Sequence, residues 1–179
     1  MIIGLCGYAG SGKSTIAAAM VETYYMERRK FAKPLKDMLR VLLDAQGIDG
    51  ETRERMIEGD LKEVPTPYLM GETPRYAMQT LGGEWGRDRI HEDLWANVAV
   101  RGVDGPTVFD DVRHNNEAAA IRSMGGVVIC LSRPGVTRQS DHKSEDLPRY
   151  NALVMNDATP EEVVERVVAW WNCDVRTIR

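Results

Sequence analysis

The sequence predicts an α/β fold, a parallel sheet of about five strands with helices on both faces. Three observations carry it. Short apolar runs alternate with stretches of helical period, the pattern of consecutive β-α-β units. One run, Val127-Val128-Ile129-Cys130-Leu131, is apolar throughout, as a strand buried on both faces has to be. The first run, Met1 to Cys6, leads into a glycine-rich turn that opens directly into a helical pattern.

That turn is Gly7-Tyr8-Ala9-Gly10-Ser11-Gly12-Lys13-Ser14, a complete G-x-x-x-x-G-K-[ST] phosphate loop, so the fold expected is the P-loop NTPase three-layer sandwich. Its glycines let the backbone curl until successive N–H groups face one anion, a shape that a Cβ would obstruct. The helix read from Thr15 to Met26 adds its unsatisfied N–H groups and the positive end of its dipole. Ala9, Gly10, Ser11, Gly12, Lys13, Ser14 and Thr15 are therefore the candidates for holding the phosphates of a nucleoside triphosphate. Lys13 reaches toward the β- and γ-phosphates, and the Ser14 hydroxyl is placed to ligate Mg²⁺. Average residue usage gives roughly 0.01 such strings by accident in a chain of this length.

With 179 residues the chain suits a single domain, 1–179, able to bury roughly 70% of its unfolded surface. Its net charge of −4 counts against a protein built to coat polymeric nucleic acid. No apolar run approaches the about 18 residues of a membrane helix, so no membrane partner is expected. The stretch before Lys13 is too short and glycine-rich for a secretory signal. Cys6, Cys130 and Cys173 show neither a C-x-x-C nor a Cys/His spacing, which argues against a zinc site or a disulfide framework. A reducing cytoplasm fits.

After the loop helix, Lys30-Phe31-Ala32 reads as a short second strand, and Pro34 opens the next helix at its first turn. Leu35, Met38, Leu39, Val41, Leu42 and Leu43 recur there at helical spacing and read as core packing. Lys33, Lys36 and Arg40 start that helix; Lys33 points either toward phosphate or toward solvent, and Lys36 and Arg40 read as a solvated face. Residues 48–73 are polar, carry Pro65, Pro67 and Gly71, show no sustained period, and read as a mobile surface excursion rather than core. Thr73 is an N-cap with Pro74 at the first helical position. In the segment that follows, Met78 and Leu81 suit a core, whereas Arg75, Gln79 and Arg87 are what a second phosphate and a base edge would need.

A helix through Trp95 to Val100 precedes Thr107-Val108-Phe109, a strand that ends in Asp110-Asp111. Apolar residues running into a strand-end aspartate form a Walker-B-like element, the second place such a fold holds Mg²⁺. For either aspartate alone, a turn or N-cap role is the alternative. Asn115 to Met124 reads as a helix closed by Gly125-Gly126, and Val127 to Leu131 as the buried strand. The polar, arginine-bearing stretch 133–149 reads as a lid, with a plain solvated loop as the alternative. Ala152 to Met155 is the last strand, and Thr159-Pro160-Glu161-Glu162 is a capping box before a helix whose Val163, Val164, Val167, Val168 and Trp171 share one face.

Two absences narrow the chemistry. There is no N-K-x-D string to read guanine, and the strand end carries Asp-Asp rather than the Asp-Glu pair that polarises water in hydrolytic ATPases. Both favour phosphoryl transfer to a bound small acceptor, in which positioning and charge neutralisation do most of the catalysis.

Lys30-Phe31-Ala32-Lys33-Pro34-Leu35-Lys36, Thr73-Pro74-Arg75 with Gln79-Thr80-Leu81-Gly82 and Trp85-Gly86-Arg87, and Phe109-Asp110-Asp111-Val112-Arg113 with Asn116-Glu117 resemble the deoxynucleoside monophosphate kinases of tailed bacteriophages. Arg133-Pro134-Gly135 and His142-Lys143-Ser144-Glu145 are similar to that family too. The resemblance implies a nucleoside monophosphate kinase fold with a lid. It implies ATP and Mg²⁺ as donor and cofactor, and a deoxynucleoside monophosphate as acceptor, giving ADP and dNDP for phage DNA synthesis. Residues 34–101 would be the monophosphate-binding region and 133–149 the lid. Lys13, Arg133, Arg138, Asp110 and Asp111 would be catalytic, with Ser14 and Asp110 on the metal. Asn156 and Ala158 would flank the adenine. Lys33, Arg75, Gln79, Trp85, Arg87 and Arg113 would bind the acceptor, although Trp85 also fits a packing role and Arg87 a surface one. A homodimer and a host-cytoplasm location are family-level expectations. The rival readings are a kinase acting on a hydroxymethylated base within DNA and a nucleotide-switched binding module.

Overall fold

The computed structural model describes residues 1–137 and 147–177, with the side chains of 174–177 excepted. Arg138 and the His142-Lys143-Ser144-Glu145 string lie outside the described residues. In chain order the elements are β1 (Ile2–Cys6), α1 (Lys13–Tyr24), β2 (Glu27–Arg29), α2 (Lys33–Asp44), α3 (Gly50–Glu58), α4 (Pro74–Thr80), a π-helical segment (Leu81–Ile90), α5 (Leu94–Val100), β3 (Thr107–Phe109), α6 (Asn115–Ser123), β4 (Val127–Ser132), β5 (Ala152–Met155) and α7 (Pro160–Thr177). The chain divides into two units: Met1–Phe31 with Val100–Arg179, and Ala32–Ala99.

The first unit carries a five-stranded sheet in the order β2-β3-β1-β4-β5, with all four pairings parallel. β1 is central, and Ile3, Leu5 and Cys6 are buried on it. Ile3 and Leu5 pack with Ile16, Ala17 and Met20 of α1 and with Val163, Val164 and Val167 of α7. Each buried Val, Leu, Ile or Met side chain here contributes about 1.5–3 kcal/mol. The expected capping box holds α7 in place: Thr159 N donates to Glu162 Oε2 at 3.1 Å, and Glu162 N donates to Thr159 Oγ1 at 3.4 Å.

The second strand differs from the reading of Lys30-Phe31-Ala32. It is Glu27–Arg29, anchored where Glu27 N donates to Pro106 O at 2.8 Å and paired with Thr107–Phe109. Being a short, charged edge, it lacks the apolar signature of a buried strand. Phe31 leaves the sheet, stacks on Phe109 at 4.8 Å and donates its N–H to Asp111 Oδ1 at 2.8 Å. α1 begins at Lys13 and stops at Tyr24, because Tyr25 takes the left-handed conformation, with φ 52.

In the second unit the polar excursion expected over 48–73 is instead ordered. Asp49 caps α3 by accepting from Thr52 N at 2.9 Å. Met56 and Ile57 of α3 then bury against Leu39, Leu43 and Ile48. Lys36 and Arg40, expected on a solvated face, are instead largely covered, with side chains 13% and 23% exposed, and they pair with Glu58 and Glu54. Thr73 caps α4 through Tyr76 N at 3.1 Å.

Arg40 donates to both oxygens of Glu54, at 2.9 and 2.8 Å, and that pairing holds the Glu54 carboxyl at about 2, below its ordinary 4.5. A carboxyl lowered on folding contributes stability that is complete above pH 4.5 and lost as pH falls toward 2. Glu54→Gln should therefore flatten the melting temperature against pH across that window. The side chain is 44% exposed, so the amplitude stays under about 1 kcal/mol. An unchanged slope in the variant would show that this pair contributes nothing.

Candidate nucleotide site

The strand–loop–helix at the head of the chain is built by backbone conformation. Gly7, Gly10 and Gly12 have φ of 136, 82 and 92. Ser11 N donates to Tyr8 O at 3.1 Å, which tightens the loop, and Ser11 is buried. A Cβ on Gly7 would stand 2.4 Å from the carbonyl oxygen of Leu131 on β4, so the loop lies directly against the neighbouring strand end.

Lys13 folds back across this loop. Its Nζ donates to Gly7 O at 2.7 Å and Tyr8 O at 2.9 Å, with Ser11 Oγ at 3.5 Å. All three acceptors are neutral. Burial lowers its pKa, and the positive charge of Arg113 lowers it further. The negative charge of a phosphate brought here would offset both effects.

Asp110 and Asp111, adjacent at the end of β3, diverge. Asp110 is buried, and its Oδ2 accepts from Ser14 Oγ at 3.3 Å, from Arg28 Nε at 3.0 Å and from Arg28 Nη2. Its Oδ1 is equally buried and has no hydrogen-bond partner among the described residues. Asp111 accepts from the Phe31 amide, which ties the β3 end to the end of the β2 segment. The Ser14 hydroxyl and the Asp110 carboxylate, whose Oδ1 is unsatisfied among the described residues, are hard oxygen donors of the kind that would hold Mg²⁺.

Asn156 follows β5, and its side-chain amide donates to Ser11 O at 2.8 Å while its own N–H donates to Ser132 O at 2.7 Å. Its Nδ2 is thus engaged in bracing the phosphate loop. Ala158 packs on the edge of the main core. Arg133 is exposed after β4, where its carbonyl accepts from Val136 N at 3.0 Å. The Arg113 guanidinium is exposed, and its backbone N–H donates to Glu117 Oε2 at 2.8 Å. Glu117 is buried and also takes the His114 N–H, so it fixes the turn that presents Arg113.

The remaining candidates lie in the Ala32–Ala99 unit. Lys33 is ion-paired with Asp37 at 2.6 Å and largely exposed. Arg75 pairs with Glu63, and Gln79 is exposed four residues further along α4. Trp85 and Arg87 sit on the π-helical segment, a rare conformation that is frequent at functional sites. Trp85 is half-exposed and tilted against the buried Trp95, with ring centroids 6.0 Å apart. Arg87 Nη1 donates to Glu92 O at 3.4 Å. A Cβ at Gly86 would stand 2.3 Å from Trp95 Nε1, so a glycine is required for the backbone between Trp85 and Arg87 to approach that indole.

A parallel sheet with this order, a phosphate loop after its central strand and a strand-end aspartate facing the loop serine define a P-loop kinase fold. No family model matches the sequence. The chain is 30% identical to a protein of Acanthamoeba polyphaga mimivirus provisionally named deoxynucleotide monophosphate kinase, over 94% of this chain and 95% of that protein. It is 24% identical to the deoxynucleoside-5′-monophosphate kinase of Escherichia phage T5, over 81% of this chain and 84% of that one. Among solved structures, shikimate kinase from Aquifex aeolicus aligns over 97% of this chain and 98% of its own, with 14% identity and a TM-score of 0.44. The chain belongs to the viral deoxynucleotide monophosphate kinases. It is an enzyme, a nucleoside monophosphate kinase.

Among the described residues no helix is long and apolar enough to cross a membrane. Arg28 is the functional-site residue that sequence reasoning misses. It lies in a charged edge strand, and nothing local marks its partnership with a residue 82 positions away.

Proposed function

We propose that the enzyme transfers the γ-phosphate of ATP to a deoxynucleoside 5′-monophosphate, giving ADP and dNDP for viral DNA precursors in the host cytoplasm. The observation that carries the reading is the Ser14–Asp110 pair, held at 3.3 Å beside the phosphate loop and Lys13. Family membership supplies the acceptor class.

An oxygen of the acceptor monophosphate attacks the γ-phosphorus as the bond to the β–γ bridging oxygen breaks, and ADP leaves with that oxygen. The attacking oxygen is already anionic near neutral pH, so no general base is needed. Loop N–H groups and Lys13 hold the β- and γ-phosphates and oppose the charge that develops on the bridge. Ser14 and Asp110 would hold Mg²⁺, which when bound neutralises charge on the β- and γ-oxygens. Arg133 and Arg138 act as the cations that join donor and acceptor phosphates, and the 133–149 stretch excludes water. Arg75, Gln79 and Arg87 take the acceptor phosphate and base edge, and Trp85 offers a face for stacking the base; Arg113 is a further phosphate-binding candidate. Lys33 belongs to that set too; like Arg75, it stands in an exposed ion pair. Asn156 serves the donor side by bracing Ser11, with Ala158 beside it.

The test follows the label. With γ-³²P-ATP, Mg²⁺ and the correct monophosphate, radioactivity should appear in the deoxynucleoside diphosphate. Label recovered only as inorganic phosphate would refute transfer.

A further inference from the structure

Arg28 has no place in the reaction just described, yet it makes the closest contact to its metal carboxylate. On β2 it stands in register with Val108, two residues before Asp110. Its side chain is 32% exposed, whereas that of Asp110 is 1% exposed. Nε at 3.0 Å and Nη2 both converge on Oδ2, which also receives the Ser14 hydroxyl. Oδ1, just as buried, accepts nothing among the described residues.

This is an asymmetric arrangement. An arginine that braces a carboxylate usually meets both oxygens, fork to fork. Here the guanidinium meets one oxygen and leaves the other a buried acceptor without a partner among the described residues. A carboxylate this deeply buried needs a cation beside it, since removing that cation leaves an uncompensated charge. Ser14, the other metal anchor, touches the same Oδ2 that Arg28 holds. A divalent ion reaching Ser14 and Asp110 would therefore meet a resident positive charge at the same atom.

We propose that Arg28 is a built-in counter-ion for Asp110: it occupies Oδ2 in the metal-free protein and gives it up when the metal arrives with its nucleotide. Metal binding and guanidinium release are then one exchange. Arg28 thus keeps the site from collecting divalent ions in the absence of nucleotide phosphates. The inference rests on the reading of Ser14 and Asp110 as the metal anchors.

Mn²⁺, a spectroscopic stand-in for Mg²⁺, tests it without turnover. Free Mn²⁺ is followed by electron paramagnetic resonance as the ion is titrated into nucleotide-free protein. Arg28→Gln should bind one ion about tenfold more tightly than wild type, because the competing charge at the same oxygen is gone. Adding Asp110→Asn should abolish that gain. Arg28→Lys, which keeps a charge but loses the fork, should fall between and serves if the glutamine variant does not fold. Equal affinity in wild type and both Arg28 variants overturns the exchange. A parallel titration with ADP separates the two claims. Asp110→Asn should weaken Mn²⁺ binding there whatever Arg28 does. Should it not, the metal pair itself is wrong and the exchange falls with it.

Discussion

Lys13→Ala should lower kcat/KM for phosphoryl transfer by roughly 10²- to 10³-fold, the loss expected when one preorganised donor to developing charge is removed. Folding should hardly change. The Lys13 ammonium is penalised by burial and repelled by Arg113, and its recorded contacts are to the neutral oxygens of Gly7, Tyr8 and Ser11. Deleting it removes a strained charge rather than a brace, so the melting temperature should stay level or rise slightly. Circular-dichroism melting alongside steady-state kinetics separates these effects. Activity that fell only in proportion to lost folded protein would deny Lys13 its role.

Gly7→Ala should damage both fold and binding. The native φ of 136 lies where a side chain is strained, at a cost of about 1–3 kcal/mol. The new Cβ would also stand 2.4 Å from Leu131 O and 2.7 Å from Ser11 Oγ. Leu131 O is backbone in the strand beside β1, so it cannot rotate away as a side chain would. Relief requires the loop to lift off β4, which spoils the anion nest. The expected result is a melting temperature lower by roughly 4–10 °C and no measurable Mg·ADP binding. Gly105→Ala, where nothing lies within 4 Å, is the matched control and should be silent. A Gly7→Ala protein with wild-type stability and nucleotide affinity would refute the close approach.

The parts of this fold that were legible in the sequence are those whose burial leaves a pattern. β1, β3 and β4 are apolar runs, and the box around Thr159 and Glu162 announces α7. β2 was not legible, because an edge strand reading Glu-Arg-Arg buries too little to look like one. α3 was hidden for a related reason: Met56 and Ile57 carry its packing inside a sequence dominated by ion-pairing residues. The site divides in the same way. The phosphate loop is contiguous and was read directly. Arg28 on Asp110 and Asn156 on Ser11 join residues 82 and 145 positions apart, and such pairings exist only after the sheet has ordered its strands. Asn156 was read as a neighbour of adenine, and the fold gives its amide a bracing contact that no local spacing encodes.

Acceptor-dependent ADP release is the most direct measurement of the central claim. It should be run with ATP and Mg²⁺ against each deoxynucleoside and ribonucleoside monophosphate, with duplex DNA and an acceptor-free sample alongside. The account predicts rapid release with one or a few deoxynucleoside monophosphates, near-silence without an acceptor, and loss of the signal in Lys13→Ala. Release that depends on duplex DNA, or that proceeds equally well with no acceptor, would contradict it.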